Sequence, residues 1–238
     1  MDQKIYVIDA FTSKQFKGNP AAVVPLGEWL PDEIMQSIAN ENNLSETAFF
    51  VRNQSDVYDI RWFSPISEVE FCGHATLASA FVVFKENPRL SEICFCAKAV
   101  GNIETKKINS NQIEMCFPKR EPFEVLEIPL ALKEGLSLQP QFYLKNKQAY
   151  FAIYENEDQI KSVIPNVEKL KTLAPLDVVI TATSKNYDFI SRYFWPSNGG
   201  VEDPVTGSIH SGLAPYWAKK LNKTKLIAYQ ASARSGIL

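Results

Sequence analysis

Two stretches of the sequence repeat one order of features, and this internal repetition constrains the fold more than any other property of the chain. The first stretch reads DIRWFSP (59–65) followed by EVEFCGHATLASA (68–80). The second reads DFISRYFWPS (188–197) followed by VEDPVTGSIHSGLA (201–214). In each, an arginine and two aromatic residues end a strand-like segment before proline, an acidic residue follows, and a glycine then opens a run of small residues at helical spacing.

The repetition predicts two pseudo-symmetric halves. The segment FPKREP (117–122) contains prolines and charges and is typical of a linker, so the division is expected there. The expected halves are residues 1–117 and residues 118–238. A repeat of this length is not the period of a solenoid, so an open repeat array is not expected.

The periodicity of the remaining sequence predicts more strands than helices. Helices are expected over 31–41, 74–86 and 207–221, with shorter helical turns over 128–134 and 157–173. Strands are expected over 4–10, 20–25, 47–52, 57–63, 91–97, 111–117, 141–145, 148–154, 177–182, 187–195 and 225–231. Because the strands do not alternate strictly with helices, the pattern favours an α+β fold of mainly antiparallel sheet over a doubly wound parallel one.

The composition is that of an ordinary globular protein and argues against several classes of function. The chain has 238 residues, of which 45% are hydrophobic and 22% are charged, with a formal net charge of -2. There is no basic excess for phosphate contacts, so no nucleic-acid partner is expected. No apolar stretch approaches the roughly 18 residues of a membrane span, and the first residues, MDQKIYVIDAF, resemble a strand rather than a signal peptide. We expect a cytoplasmic protein with no membrane partner.

The cysteines do not follow the spacing of a metal site. Cys94 and Cys96 form a C-x-C pair, which places both thiols on one face of a strand, and Cys72 and Cys116 stand apart. The chain has only two histidines and no C-x-x-C pair, so a zinc site is not expected. Reduced thiols in a reducing compartment are the expected state.

Two glycines, Gly73 and Gly207, stand at the predicted starts of small-residue helices. A helix N-terminus has unpaired N–H groups and a partial positive charge, so it binds carboxylates or phosphates readily. If the halves face each other, both helix starts point into one cleft. For either helix taken alone, the glycine can simply permit a tight turn.

Glu46 is the most informative single residue. It lies in LSETAFF (44–50), directly before a run of apolar residues that does not alternate and therefore predicts burial on both faces. A carboxylate at such a place must be paired, solvated through a cleft, or shifted in pKa. The alternative is a local bond from the Glu46 carboxylate to the backbone after Ser45.

Three more polar residues lie at or before the helix starts. His74 occupies the first turn of the first helix, where a cation is disfavoured, so a neutral imidazole is expected, although a packed core histidine is the alternative. Asp203 precedes Pro204 and can equally form a turn or a cap. Ser208 can hold an anion through its hydroxyl and N–H groups, or it can be an ordinary polar residue of the first turn.

The chain resembles the PhzF (phenazine biosynthesis-like) family along essentially its whole length. The segments that carry the resemblance, in order, are DAFTSKQFKGNPAAVV, NENNLSETAFF, IRWFSP, EFCGHATLASA, EDPVTGSIHSGLAPYWAKKL and YQASARSGIL. The resemblance implies a diaminopimelate-epimerase-like fold, with two similar halves, each a mainly antiparallel sheet or barrel wrapped around a central helix, and an active site between them. It also implies a homodimer that needs no cofactor or metal.

The resemblance also implies roles for individual residues. Glu46 matches the catalytic carboxylate of the family, His74 its cleft histidine, and Asp203 and Ser208 its second-half acid and serine. Gly73, Gly207 and Ser208 match the positions that receive the substrate carboxylate. The implied activity is a cofactor-independent isomerase that moves a proton on a small unsaturated or cyclic carboxylic acid. Desolvation and the neighbouring acid Asp203 are expected to raise the pKa of Glu46.

Two other functions remain open at this point. In a cysteine-type racemase or epimerase Cys72 would act as one thiol, but the matching position of the second half is Thr206, whose hydroxyl is too weak an acid at neutral pH. A non-catalytic binding protein that keeps the fold is the other alternative. It is favoured by the C-terminal SARSGIL (232–238), because family members usually continue through more strands there, so we expect the second half to lack its last strands.

Overall fold

The computed structural model of the chain describes residues 3–198 and 200–238. Its contacts define two compact units, Met1–Phe16 with Pro20–Phe117, and Lys17–Asn19 with Pro118–Leu238. The grouping of residues 17–19 with the second unit was not anticipated from the sequence. Within the described residues, no helix combines the length and the apolar composition that a bilayer span requires.

The first unit is built on one mixed sheet with two helices. Its strands are β1 (Tyr6–Ala10), β2 (Asn19–Leu26), β3 (Glu46–Arg52), β4 (Tyr58–Phe63), β5 (Glu68–Val69), β6 (Glu92–Ala97), β7 (Gly101–Lys107) and β8 (Ile113–Met115), and its helices are α1 (Asp32–Asn42) and α2 (Gly73–Glu86). The strand order is β1-β2-β3-β4-β6-β7-β8, with β5 paired to β4. The β2–β3 and β4–β6 pairs are parallel, whereas β3–β4, β4–β5, β6–β7 and β7–β8 are antiparallel.

Helix α2 is the centre of the first unit. Ten of its fourteen residues are buried, as expected for a helix that is apolar or small-sided around most of its circumference. Ala75 and Ala78 belong to the same buried cluster as Phe50, Trp62 and Phe95 of the sheet. Fully burying one such aromatic side chain contributes roughly 1.5–3 kcal/mol, so this helix–sheet contact stabilises the unit substantially.

Helix α1 covers the other face of the sheet. Met35 and Ala39 of this helix pack with Phe49 and Phe63 in a separate buried cluster. The two phenylalanine rings meet edge to face, with centroids 5.6 Å apart. Both faces of β3 are therefore covered, which explains why its sequence does not alternate between apolar and polar residues.

The second unit is also built on one mixed sheet. Its strands are β9 (Phe123–Glu124), β10 (Phe142–Lys145), β11 (Ala149–Ile153), β12 (Asp177–Thr183), β13 (Phe189–Phe194), β14 (Glu202–Asp203), β15 (Ala228–Gln230) and β16 (Gly236–Ile237), and its helices are α3 (Leu130–Glu134), α4 (Glu157–Ser162), α5 (Val167–Lys171) and α6 (His210–Leu221). The strand order is β16-β15-β13-β12-β11-β10-β9, with β14 paired to β13. The β11–β12 and β13–β15 pairs are parallel and the others are antiparallel.

Helix α6 packs on one face of this sheet and the short helices α3, α4 and α5 on the other. Trp217 of α6 stacks on Phe189, with ring centroids 5.7 Å apart and an interplanar angle of 9°. The helix contains Pro215, which has no N–H to donate to the carbonyl of Ser211. The backbone N–H of Arg120 donates to that carbonyl instead, at 2.9 Å, so the proline leaves no buried acceptor without a partner at this point.

The two units repeat one topology. Strands β2 to β7 and helix α2 correspond, in chain order and in the direction of each strand pair, to strands β11 to β16 and helix α6. The predicted α+β fold with two pseudo-symmetric halves is therefore confirmed. The prediction of mainly antiparallel sheet also holds, although each sheet contains parallel pairs as well.

In both units, the arginine and the acidic residue of the sequence repeat form a hydrogen-bonded ion pair between two neighbouring strands. Arg61 of β4 forms two hydrogen bonds of 2.7 Å with Glu68 of β5. Arg192 of β13 forms hydrogen bonds of 2.8 and 2.9 Å with Glu202 of β14. Each guanidinium also lies 5.1 Å from the ring centroid of the phenylalanine two residues further along its strand. These bidentate pairs fasten a two-residue strand to the longer strand beside it.

The second glycine-led helix starts later than the sequence predicted. The α-helix begins at His210 rather than at Gly207. The N–H groups of His210 and Ser211 donate to the carbonyls of Gly207 and Ser208, three residues earlier, so residues 207–209 form a tighter turn before the α-helix.

Strand β7 was missed entirely, because its sequence GNIETKK contains mostly polar and charged residues. Only Ile103 and Thr105 are buried, at the alternating spacing of a strand with one solvent-exposed face. Gly101 adopts a φ of +73° at the start of the strand and closes the hairpin with β6. The alternation was present in the sequence but was short and weak.

The packing of α6 predicts that a glycine-to-alanine substitution in this helix destabilises the protein, although the same change usually stabilises a helix. A Cβ added at Gly212 would lie 2.7 Å from Cζ of Phe151 and 2.8 Å from Nδ2 of Asn146. Both neighbours are fixed, since Phe151 is fully buried and Asn146 donates to the Arg120 carbonyl. Alanine usually stabilises a helix interior by about 1 kcal/mol over glycine, but here we expect Gly212→Ala to destabilise the protein by roughly 1–3 kcal/mol. Calorimetry should record a loss in Tm of about 2–4 °C for each kcal/mol.

Gly27→Ala is the matched control for this substitution, because a Cβ at Gly27 meets nothing within 4 Å. We expect its Tm to stay at the wild-type value. A Tm for Gly212→Ala at or above that of the wild type would contradict the close packing described for α6.

Candidate active site

Glu46 begins β3 and is buried, with 8% of its surface exposed. It pairs with Ala21 of the parallel strand β2, and the four residues after it are buried as well. Its carboxylate oxygen Oε2 lies 3.2 Å from Nε2 of His74. This contact brings the Glu46 carboxyl group against a side chain from a distant segment of the chain.

His74 is the second residue of α2 and is 7% exposed. Its Nδ1 lies 3.4 Å from Sγ of Cys72. Burial lowers the pKa of His74 to about 4, and a hydrogen bond to the backbone of Pro20 opposes this shift. Since proline has no N–H, the Pro20 carbonyl must accept that bond. His74 is therefore neutral near pH 7, as expected, but burial is the main cause rather than the helix dipole.

A neutral imidazole has one N–H donor and one acceptor nitrogen, and the bond to the Pro20 carbonyl uses the N–H of His74. Toward Glu46, His74 can then only accept a hydrogen bond, and only from the protonated acid. The 3.2 Å contact between Oε2 of Glu46 and Nε2 of His74 does not have the geometry of a hydrogen bond within the described residues. Because His74 is neutral, the contact is not an ordinary ion pair either. It places a buried carboxyl group directly against a neutral polar ring.

Gly73 precedes His74 and begins α2. A Cβ at this position would lie 3.2 Å from Cζ of Phe117, which is closer than an ordinary van der Waals contact. The glycine therefore permits close packing at the helix N-terminus. Its backbone N–H belongs to the first turn, whose N–H groups have no partner within the helix.

The first unit also contains a group of side chains that can hold a metal ion. One donor atom each from Glu46, Cys72 and His74 lies within 4.8 Å of the others, and all three residues are buried. Carboxylate, thiolate and imidazole are ligands that zinc accepts. Cysteine spacing could not have predicted this cluster, because the carboxylate comes from a separate strand. The residue types alone do not make the cluster a metal site.

Asp203 ends β14 and is 8% exposed. Its Oδ1 accepts a hydrogen bond of 2.9 Å from Nδ2 of Asn19, and its Oδ2 accepts from the hydroxyl of Thr206. Burial raises the pKa of Asp203 to about 6, although the bonds from Thr206 and Asn19 oppose the shift. The charges of Asp177 and Glu202 raise this pKa further. Asp203 can therefore gain or lose a proton near neutral pH.

The turn between Asp203 and Thr206 is held by a residue that sequence reasoning missed. Gln230 of β15 is fully buried. Its Nε2 donates to the backbone carbonyl of Asp203 at 2.9 Å, and its Oε1 accepts from the Thr206 N–H at 2.9 Å. Because Gln230 holds this backbone, the Asp203 carboxylate can bond to side chains, including that of the distant Asn19. The role of a simple turn-forming aspartate does not account for these contacts.

Gly207 and Ser208 lie in the turn that leads into α6, and both are partly exposed. The hydroxyl oxygen of Ser208 lies 2.8 Å from Nε2 of Gln148, which precedes β11. Gln148 was not identified from the sequence. Asn146 lies in the turn between β10 and β11, and its side chain accepts from the N–H groups of Gln148 and of Ala149, the first residue of β11.

The structure thus brings the predicted residues together in two groups, each within one unit. Glu46, Gly73 and His74 meet in the first unit, and Asp203 lies in the turn next to Gly207 and Ser208 in the second. Asn19 and Gln230 were missed as partners of Asp203. A signal for them was present, because both lie in the quoted segments DAFTSKQFKGNPAAVV and YQASARSGIL.

Comparison with known proteins extends over nearly the whole chain. A family model described as phenazine biosynthesis-like protein matches residues 8–238. An uncharacterized isomerase of Pseudomonas aeruginosa is 44% identical over 238 residues, which cover 100% of this chain and 90% of that protein. An uncharacterized isomerase of Halalkalibacterium halodurans is 44% identical over 240 residues, with the same coverage of both chains.

A solved structure agrees with the fold described above. The crystal structure of a PhzF-family phenazine biosynthesis protein from Enterococcus faecalis matches with a TM-score of 0.94 at 39% identity. The match covers 100% of this chain and 90% of that one. The resemblance carried by the sequence motifs is confirmed: this chain belongs to the PhzF (phenazine biosynthesis-like) family and is an enzyme of the isomerase class.

Proposed function

We propose that this isomerase moves a proton on a small unsaturated or cyclic carboxylic acid without a cofactor, and that Glu46 is the acid/base. The observation that carries the proposal is the buried Glu46 carboxylate 3.2 Å from a neutral His74. A carboxyl group that is shielded from water and lies against a neutral partner can take up and return one proton without exchanging it rapidly with solvent. The isomerase names of the two bacterial relatives support the same class of reaction.

In the proposed reaction, a Glu46 oxygen removes a proton from one carbon of the substrate, and the electron pair of that C–H bond forms a new double bond. The former double bond opens toward a second carbon, which takes the proton back from Glu46. One C–H bond breaks and one forms, so the product is an isomer and no oxidant or reductant is consumed. His74 stays neutral beside Glu46 and can accept a hydrogen bond from its carboxyl group while that group carries the proton.

Asp203 and the helix starts receive the other roles in the proposal. Asp203, with a pKa of about 6, orients the substrate and stabilises the charge that develops on it. Gly73, Gly207 and Ser208 receive the substrate carboxylate through the N–H groups of the helix starts and the Ser208 hydroxyl. The family resemblance is the basis for assigning both groups of residues to one substrate.

A cysteine-type racemase or epimerase is the second candidate. The observation that favours it is the 3.4 Å distance between Sγ of Cys72 and Nδ1 of His74, a pairing that can activate a thiol. The Thr206 hydroxyl, at the position matching Cys72 in the sequence repeat, already donates to Asp203. A two-thiol reaction therefore has no second thiol at that position, and this candidate ranks below the glutamate mechanism.

The assigned role of Glu46 predicts a large and selective loss of turnover in Glu46→Gln. In deuterium oxide, the wild-type protein should shift a double bond in a dihydroaromatic acid such as cyclohexa-2,5-diene-1-carboxylate, with deuterium at the new C–H position in only part of the product, followed by proton NMR. We expect Glu46→Gln to lose about 10²–10⁴-fold in this rate, because the amide cannot act as a base. Binding of benzoate, measured by calorimetry, should stay within a few-fold of the wild-type value.

Cys72→Ser separates the two candidate functions in the same assay. The glutamate mechanism predicts that this variant keeps most of its activity, and the cysteine mechanism predicts that it loses all of it. Full activity in Glu46→Gln together with loss in Cys72→Ser would replace the first candidate by the second.

The raised pKa of Asp203 predicts an unusual effect of pH on stability. The ordinary pKa of an aspartate, about 4, applies to the unfolded state, and the native value is about 6. Between pH 4 and pH 6 the folded state therefore keeps a proton that the unfolded state releases. The contribution of Asp203 to stability is therefore largest below pH 4 and falls as the pH rises through 6. Asp203→Asn removes this dependence, so on going from pH 4 to 7.5 the variant should gain roughly 1–3 kcal/mol relative to wild type, measured by urea unfolding.

Asp188→Asn is the control, because this carboxyl group titrates outside the window. The Lys223 side chain holds the pKa of Asp188 below its ordinary value, so the stabilisation by the ionised group is nearly complete at about pH 4 and is lost only at lower pH. From about pH 4 to 7.5 the stability of this variant relative to wild type should therefore stay nearly constant. A parallel pH dependence for Asp203→Asn and wild type would show that the Asp203 carboxyl group titrates normally.

We also propose that the enzyme is a cytoplasmic homodimer, as the family resemblance implies. The chain mass is 26.8 kDa, so light scattering on a gel-filtration peak should give about twice that value. A single species at the mass of one chain, unchanged on raising the concentration, would contradict the dimer. Fractionation of the source cells, with the protein found outside the cytoplasm, would contradict the location.

A further inference from the structure

The repeated topology identifies a counterpart of Glu46 in the second unit. Glu46 pairs with Ala21 of the parallel strand β2, and Asp177 pairs with Ala149 of the parallel strand β11. Because β2–β3 and β11–β12 are equivalent strand pairs, Glu46 and Asp177 occupy equivalent positions. Asp177 was not among the residues that the sequence motifs pointed to.

The helix starts are equivalent in the same way, since Gly73 and Gly207 hold matching positions in the repeat. His74 in the first unit therefore corresponds to Ser208 in the second. In the first unit, the acid and the residue after the glycine are in direct contact. In the second unit, the corresponding pair is Asp177 and Ser208, and two further side chains link them.

The link is a chain of hydrogen bonds from Asp177 to Ser208. The Tyr193 hydroxyl lies 2.7 Å from Oδ2 of Asp177. Nε2 of Gln148 lies 3.2 Å from the Tyr193 hydroxyl and 2.8 Å from the Ser208 hydroxyl. Tyr193 is buried at 3% exposure, so the middle of the chain is shielded from water.

The direction of each bond follows from the number of protons available. The tyrosine hydroxyl has one proton, and it donates this proton to the Asp177 carboxylate. Burial, followed by the negative charge of Asp177, raises the pKa of Tyr193 well above its ordinary value, so the hydroxyl keeps its proton. Toward Gln148, Tyr193 can then only accept, which requires the amide nitrogen rather than the amide oxygen to face it.

The same orientation of the amide decides the state of Ser208. The two protons on Nε2 of Gln148 point to Tyr193 and to Ser208, so the Ser208 oxygen accepts a hydrogen bond from Gln148. The proton of the Ser208 hydroxyl is then available to another acceptor. With the amide turned over, Ser208 would donate to the Gln148 oxygen and would present no proton to a ligand.

We propose that Gln148, oriented by Tyr193 and Asp177, is a positioning residue that keeps the Ser208 hydroxyl as a hydrogen-bond donor to the substrate carboxylate. This inference rests on the proposed function, which makes Ser208 part of the carboxylate site. In this proposal Asp177 and its counterpart Glu46 have different roles. Asp177 fixes the direction of a hydrogen-bond chain, and it does not exchange protons with the substrate. The recognised chemical class is an anion with oxygen acceptors, such as a carboxylate.

The test is a double-mutant cycle with benzoate as the ligand, read by calorimetry. Tyr193→Phe removes the hydroxyl that holds the amide, so Gln148 can turn over and accept the Ser208 proton. We expect the Kd for benzoate to rise about 3- to 10-fold, the size of one net hydrogen bond. In a Ser208→Ala background the same substitution should have no effect on the Kd, because the group through which it acts is absent.

Tyr143→Phe is the matched control, because Tyr143 is another buried tyrosine of the second unit at 7% exposure, and its hydroxyl forms no hydrogen bond within the described residues. It should leave the Kd unchanged. An equal loss of affinity from Tyr193→Phe in the Ser208 and Ser208→Ala backgrounds would mean that Tyr193 acts through general structure, and the proposal would be overturned.

A measurement without ligand keeps this inference separate from the proposed function. In ¹⁵N–¹H NMR spectra of the free protein, both side-chain amide protons of Gln148 should exchange slowly with water. Tyr193→Phe should speed that exchange and shift the signals, and Tyr143→Phe should not. Signals that do not respond to Tyr193→Phe would overturn the hydrogen-bond chain alone. A wild-type protein that does not bind benzoate, with the signals as expected, would instead contradict the carboxylate site and the proposed function.

Discussion

The contact between Glu46 and His74 is the interaction on which this account depends. A buried carboxyl group without a partner would be strongly destabilising, and a charged histidine beside it would form an ordinary ion pair. Burial lowers the pKa of His74 to about 4, so the contact joins an acid to a neutral imidazole. Ala75 and Ala78 of α2 pack in the same buried cluster as Ala48 of β3, the strand that Glu46 begins. Gly73 permits a further close contact at the helix start, with Phe117.

The repeated topology explains how one architecture can hold two different groups of functional residues. The arginine–glutamate pairs, Arg61 with Glu68 and Arg192 with Glu202, have nearly the same geometry in both units. The positions next to them differ: β4 pairs its tryptophan with a valine of β5, whereas β13 pairs Tyr193 with Asp203 of β14. The strand topology and the arginine–glutamate pairs are thus the same in both units, whereas the side chains at the neighbouring positions differ.

The sequence predicted the larger features because they depend on local pattern. Two halves, the α2 helix and the positions of Glu46, His74 and Asp203 all follow from periodicity or from motif resemblance. What it did not predict depends on contacts between distant segments. Asn19 and Gln230 meet Asp203 only after folding, and the start of α6 at His210 depends on i→i+3 bonds that periodicity does not reveal. Strand β7 was missed because its outward residues are charged and mask the alternation of Ile103 and Thr105.

The central claim is that one shielded carboxyl group, Glu46, carries a proton between two carbons of the substrate. The most direct test is a single turnover, in ordinary water, of cyclohexa-2,5-diene-1-carboxylate that is deuterated at C1. A buried carrier predicts that part of the deuterium reappears at a different ring carbon of the product, and that Glu46→Gln gives no product. Complete replacement of the deuterium by solvent hydrogen, with turnover preserved in Glu46→Gln, would contradict the account.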